Sequence, residues 1–301
     1  MLVPLNEGDS VAVVATAKRL EKSIAEGIKV LESWGLNVQV GPHTYGSHEY
    51  FAATDFDRLE DLQQALDNPE IKAVIFARGG YGTTRILDQI DFSTFQTNSK
   101  WVVGFSDLTS FLLQTGSLGI PAIHGPMAYT LGNDQFSDEL LRQLLFGETS
   151  FEIPLAESQI TFSSIIEGKI TGGNLSLIYE SIGAANEIQT VGSILFLEEI
   201  GEDFYAVDRM LNKLKRVGKL AQLQGLIVGD FTNVKDSNGY YTRTLKQIIQ
   251  DCFLDLNIPV VFGFPGGHEK VNYPLLFHST VRISVEEARM TIEYLDQKSG
   301  N

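Results

Sequence analysis

The chain has 301 residues, 43% of them hydrophobic, and a formal net charge of −15. That length exceeds one ordinary domain of about 100–200 residues and supplies apolar material for a sizeable core. The acidity speaks against nucleic acid, whose phosphates select Lys and Arg patches, and against an anionic membrane surface; it reads as solubilising charge.

The first nine residues contain no basic leader region and no long apolar core, and no later run approaches the roughly 18 apolar residues of a membrane span. The expectation is a protein kept in the cytoplasm. A strand pattern covers 10–15. Helical spacing of Leu20, Ile24, Ile28 and Leu31 follows, with a stop at Gly35 after Trp34. Strands are expected at 37–40 and 71–77, and a helix at 54–66 with Thr54 as its N-cap. A helix at 83–89, a strand at 100–103, a helix at 107–115, a strand at 122–124 and a helix at 137–146 complete the first half. Strands alternating with helices at this spacing predict a parallel sheet covered on both faces, with ligands gathered at the strands' carboxyl ends.

After Gly147 the texture changes. Residues 151–154 and a Ser/Thr-rich stretch to 164 read as a crossover. Strands are expected at 167–174, 192–198 and 223–228, helices at 176–184, 208–213 and 242–253, and closing strands at 281–285 and 288–294. The domain boundary falls near 155, giving units of 1–154 and 155–301. The single cysteine, Cys252, excludes an intramolecular disulfide framework and is expected to sit in an apolar helical run as a buried, inert thiol.

Trp101-Val102-Val103-Gly104-Phe105-Ser106-Asp107 is the most pointed stretch. An apolar strand ends at a glycine, a serine follows two residues later, and a helix begins. Such a turn lifts a hydroxyl out at the mouth of a sheet, beside the free N–H groups of the new helix. Ser106 is either a nucleophile or a helix N-cap on this pattern. Arg78-Gly79-Gly80-Tyr81-Gly82 follows a strand and lets backbone N–H groups approach a ligand, but its spacing matches neither G-x-G-x-x-G nor the Walker pattern. Taken alone it reads as a tight strand-to-helix turn.

Among His43, His48, His124, His268 and His278, the best base candidate is His268, in the sparse turn Pro265-Gly266-Gly267-His268; His124 is second. No pair has the H-E-x-x-H spacing and no Cys/His cluster exists, so no catalytic metal is expected. Glu198 and Glu199 end the apolar run Leu195-Phe196-Leu197. Alternation points them to opposite faces, so at most one can orient a histidine. Asp208 and Arg209 read as a local ion pair or a wall of the site.

Taken in order, these segments resemble the serine LD-carboxypeptidase family, which includes murein tetrapeptide carboxypeptidases and microcin C immunity peptidases. The likeness runs through residues 8–14, 78–87, 104–109, His124-Gly125-Pro126-Met127, Gly172-Gly173-Asn174-Leu175-Ser176, Leu197-Glu198-Glu199, 205–211 and Gly267-His268. The resemblance implies Ser106 as nucleophile, His268 as general base, Glu198 as orienting acid, and the backbone N–H groups of Gly80 and Asp107 as oxyanion hole. It implies a flavodoxin-like N-terminal domain holding the serine and a smaller, β-rich α/β C-terminal domain holding the other two. It implies a homodimer without metal or cofactor, acting on cell-wall peptides that end in D-Ala. Arg78, and less so Arg85, are candidates to recognise a terminal carboxylate, with His124 beside them as a substrate contact. Thr16 and Ala53 depart from the family pattern at positions expected to line the rim. Two other readings stay open: an immunity peptidase cleaving a peptidyl-nucleotide, for which Trp34 and Trp101 are poorly placed to stack a base, and a non-catalytic small-ligand module on the same sheet.

Overall fold

The computed structural model describes residues 2–155, 165–286 and 288–296; most of the expected Ser/Thr-rich crossover lies outside them. The first half alternates as the spacing predicts. The strands are β1 (Ser10–Val14), β2 (Asn37–Val40), β3 (Ile71–Phe76), β4 (Trp101–Gly104) and β5 (Ala122–His124). Between and after them lie α1 (Ala25–Ser33), α2 (Asp55–Asp67), α3 (Thr84–Leu87), α4 (Ser93–Thr97), α5 (Thr109–Ser117) and α6 (Gln135–Leu145). Thr54 caps α2 by accepting the N–H of Asp57, as its sequence position suggests. The run from Leu20 is not helical at its start: α1 begins only at Ala25. The short helix α4 carries no periodic signal and is not anticipated.

The second half contributes β6 (Ser150–Pro154), β7 (Ile165–Asn174), β8 (Ser193–Ile200), β9 (Gly225–Thr232), β10 (Val260–Phe262), β11 (Leu275–Phe277), β12 (Thr280–Glu286) and β13 (Arg289–Tyr294), with α7 (Leu175–Glu180), α8 (Phe204–Arg216) and α9 (Leu245–Phe253). Two sheets result. One has the order β11-β5-β4-β3-β1-β2, and the other β10-β9-β8-β7-β12-β13-β6. Strands β1 to β5 are parallel and give the flavodoxin order 2-1-3-4-5. In the second sheet β7, β8, β9 and β10 are parallel, and β12, β13 and β6 continue it antiparallel.

The two sheets exchange edges. β11 comes from late in the chain yet pairs antiparallel with β5, and β6 precedes residue 155 yet pairs with β13. A cut near 155 therefore separates two strands from the sheets they complete. Residues of both sheets share one continuous buried cluster, from Val11 and Phe76 to Phe196 and Ile283. A second cluster, built on Leu195, Leu211 and Leu226, lies under α8 and α9.

Candidate active site

β4 is buried along its whole length and ends at Gly104. A Cβ there would lie 2.9 Å from the Leu108 side chain, so glycine lets the strand turn at once into the 3-10 helix Ser106–Leu108 that leads into α5. Ser106 holds a left-handed backbone, φ +63°, which turns its hydroxyl outward. The glycine turn after β3 packs directly on it: a Cβ on Gly79 would stand 3.0 Å from Ser106 Cβ and 3.2 Å from its Oγ. Gly80 follows with φ +118°.

Asp107 locks the two turns together. Its buried carboxylate accepts the Thr83 N–H at 2.9 Å, and burial raises its pKa. Arg58, fully buried, donates to the carbonyls of Thr16 and Gly82 and to Asp55 from below. The turn is thus held from two sides.

The remaining groups come from the second sheet. Glu198 and Glu199 do point apart at the end of β8. Glu199 accepts from Asn174 Nδ2 at 2.9 Å, the Ser176 N–H at 2.8 Å and the Ser176 hydroxyl at 2.7 Å, holding the start of α7. Glu198 turns to the cleft, where its Oε2 lies 2.7 Å from His268 Nδ1. A carboxylate only accepts, so Nδ1 carries the hydrogen and Nε2 is the free acceptor. That Nε2 lies 2.9 Å from Ser106 Oγ. The His268 turn is fixed by Asn272, whose Oδ1 accepts the Gly267 N–H at 3.0 Å, and by the Phe105 ring, 5.1 Å from the imidazole. Burial alone lowers the His268 pKa, but the Glu198 hydrogen bond and the charges of Glu198, Glu199 and Asp230 outweigh it, and the net shift is upward from 6.5.

Ser106 and His268 open on a cleft of about 800 Å³, also lined by Lys18, Tyr50, Gly80, Tyr129, Asp138 and Asn272. Arg78 is on its wall. Its guanidinium sits 4.6 Å from the centre of the Tyr129 ring and donates to the Arg19 carbonyl and Glu21. Arg85 instead pairs with Asp55, as a structural ion pair.

Four expectations are corrected. His124 contacts no substrate space: it is 0% exposed and boxed by Phe105, Phe196 and Phe277, and burial lowers its pKa to about 3. The strand-end signal that singled it out carries no information on burial. Thr16 and Ala53 are buried and do not line the cleft; Thr16 shares a hydrogen bond with Thr83 beneath it. Asp208 and Arg209 do not pair with each other: Asp208 faces Tyr241 and Arg243, and Arg209 lies over Tyr205. Cys252 is half-buried rather than buried, with burial raising its thiol to about 11, well above the range of a reactive thiolate. Trp101 packs in the core with its indole N–H on the Val3 carbonyl, and neither tryptophan lines the cleft. Away from the cleft, ligand atoms of His43, Asp57 and Glu60 come within 4.8 Å of one another, but Asp61 already engages His43. Asn272 and Asp230 escaped notice; the first lies four residues past His268 in the same turn.

A hydroxyl, an imidazole and a carboxylate in hydrogen-bonded series, at the carboxyl ends of parallel strands, form the arrangement of a serine-type hydrolase built on an α/β scaffold. Residues 11–125 match the LD-carboxypeptidase N-terminal domain, and residues 167–283 match the LD-carboxypeptidase C-terminal domain. The chain is 37% identical over 273 residues to a probable murein peptide carboxypeptidase of Bacillus subtilis, covering 88% of this chain and 85% of that one. It is 31% identical to the murein tetrapeptide carboxypeptidase of Pseudomonas aeruginosa, over 87% of this chain and 89% of that one. Among solved structures, a muramoyltetrapeptide carboxypeptidase of Oxalobacter formigenes superposes with a TM-score of 0.84 at 29% identity, over 95% and 98% of the two chains. The immunity protein MccF, in complex with glutamyl sulfamoyl guanosine, shares the fold with a TM-score of 0.87 at 19% identity over 99% of each chain. The chain belongs to the LD-carboxypeptidase family.

Proposed function

We propose that this chain is a serine-type LD-carboxypeptidase that removes a C-terminal D-amino acid, D-alanine in particular, from tetrapeptides released in murein turnover. The observation that carries the reading is the unbroken series of hydrogen bonds from Glu198 through His268 to Ser106, at 2.7 and 2.9 Å.

In this reaction Ser106 Oγ attacks the scissile carbonyl carbon while His268 Nε2 takes its proton, and Glu198 steadies the imidazolium. The carbonyl oxygen becomes an oxyanion, met by the N–H groups of Gly80 and Asp107. The Asp107 N–H lies in the first turn of a helix, where no intrahelical acceptor exists, and the positive end of the helix dipole adds to it. His268 passes its proton to the departing amine, which leaves as the free D-amino acid. Water, deprotonated by the same imidazole, then splits the ester. No step calls for an electron sink or a Lewis acid.

The relatives' names support murein peptides as the substrate class. A cleft of about 800 Å³ suits a short peptide. Arg78 on its wall is the candidate for the terminal carboxylate, in competition with Glu21. A homodimer, as the resemblance implies, and a cytoplasmic location, as the sequence pattern suggests, are part of the same proposal. Ser106→Ala tests the assignment: hydrolysis of an L,D-tetrapeptide falls by about 10³-fold or more. Retained turnover would refute it.

A further inference from the structure

β8 and β9 run in parallel register as far as Leu197 and Val228, and resume it at Glu199 and Phe231. One residue of β8, Glu198, therefore stands against two of β9, Gly229 and Asp230. Such a bulge re-aims a side chain. A Cβ on Gly229 would lie 2.3 Å from the Gly266 carbonyl oxygen and 2.8 Å from the Phe196 ring, so glycine permits the close approach. The Asp230 N–H donates to that same carbonyl at 2.8 Å. The Asp230 side chain then meets the turn that carries the imidazole. A Cβ on Gly267 would stand 3.0 Å from Asp230 Cβ and 3.2 Å from Glu198 Oε2. Two acids thus press on one glycine beside His268. Each has a buried oxygen without a partner among the described residues, Glu198 Oε1 and Asp230 Oδ2.

We infer that Asp230 is a positioning residue of the active site: a second carboxylate, set by the β9 bulge against the Glu198–His268 pair, whose negative charge stabilises the imidazolium and so tunes the base. The inference builds on the reading of His268 as that base. The charges that act on His268 are Glu198, which faces it from β8, Glu199, which acts from the opposite face of β8, and Asp230 from β9, with the neutral His124 beside them; Glu269 in the same turn acts on Asp230. Burial, then the charges of Glu269 and Glu198, push the Asp230 carboxyl up to about 7. It therefore ionises near neutral pH, beside a base whose own pKa is raised. As pH rises, the new charge makes His268 hold its proton more tightly, so the acid limb of kcat/KM is broadened and lies at higher pH.

The pH profile of Asp230→Asn tests this, since the substitution keeps the size and removes the charge. The acid limb is expected to sharpen and to move to lower pH by about half a pH unit or more, with the plateau kcat retained. A limb that stays in place overturns the proposal whatever happens to the plateau, because structural damage lowers the rate at every pH alike. A second measurement needs no turnover. The His268 ring is titrated by NMR in full-length Ser106→Ala, with and without Asp230→Asn. A lower midpoint in the double variant supports the proposal even if the peptidase reading fails, and equal midpoints overturn it. Should Asp230→Asn not fold, Asp230→Ser in the Ser106→Ala background takes its place: a lower His268 midpoint supports the proposal, and an unchanged one overturns it.

Discussion

Ser106 lies at φ +63°, in a region that L-residues with a Cβ reach only at a cost of about 1–2 kcal/mol. The surrounding contacts outweigh that cost: Gly79 packs against its side chain from one side, and the buried residues that follow it anchor the turn from the other. Glycine bears no such penalty. Ser106→Gly is therefore expected to be inactive yet more stable than Ser106→Ala, by about 1 kcal/mol in urea denaturation. Equal midpoints for the two variants would show that the turn stores no strain. At this scale much was legible. A serine two residues past a strand-ending glycine, and a histidine in a turn with little bulk, each announce exposure through their neighbours. His124 shows the limit, since a histidine at a strand end gives the same local signal whether it faces a cleft or, as here, three phenylalanine rings.

The two loops that follow β3 and β4 behave as one unit, joined by the Asp107 carboxylate and the Thr83 N–H at 2.9 Å. Removing that acceptor leaves a buried donor unpaired. Asp107→Ala is expected to cost about 1–3 kcal/mol in chemical denaturation. It is also expected to lower kcat more than it raises KM, because the Gly80 N–H loses its fixed position relative to Ser106. A variant with full kcat would mean that the glycine turn holds itself. The alternation of strands and helices through β5 was readable because each parallel strand is followed by its own covering segment, a local pattern. The bulge between β8 and β9 was not, since one extra residue in a strand is visible only against its partner. The strand β11 was missed for the same reason: three apolar residues pair with β5 from some 150 positions away.

Across the whole molecule, neither sheet is complete without chain from the other half. β5 has β11 as its outer neighbour, and the Leu276 N–H of β11 donates to the hydroxyl of Tyr294 in β13 at 2.9 Å. Buried side chains of both sheets belong to one cluster. Unfolding in urea is therefore expected to be a single transition. Tryptophan fluorescence, which reports Trp34 and Trp101 in the first half, should coincide with far-UV circular dichroism, which reports both halves. Separate midpoints would mean that the halves are stable apart. Family membership and architecture followed from the order of short segments along the chain, whereas the sharing of edges between the sheets is a three-dimensional fact that no segment carries.

Ser106 and His268 stand 162 positions apart and still meet at 2.9 Å. A ribosome that has finished the first two hundred residues has therefore released the hydroxyl and its glycine cradle with no base to drive them. On the proposed chemistry, the nascent chain is inert for most of its synthesis. Cutting power arrives only once the segment that carries His268 has emerged and docked against the Ser106 turn.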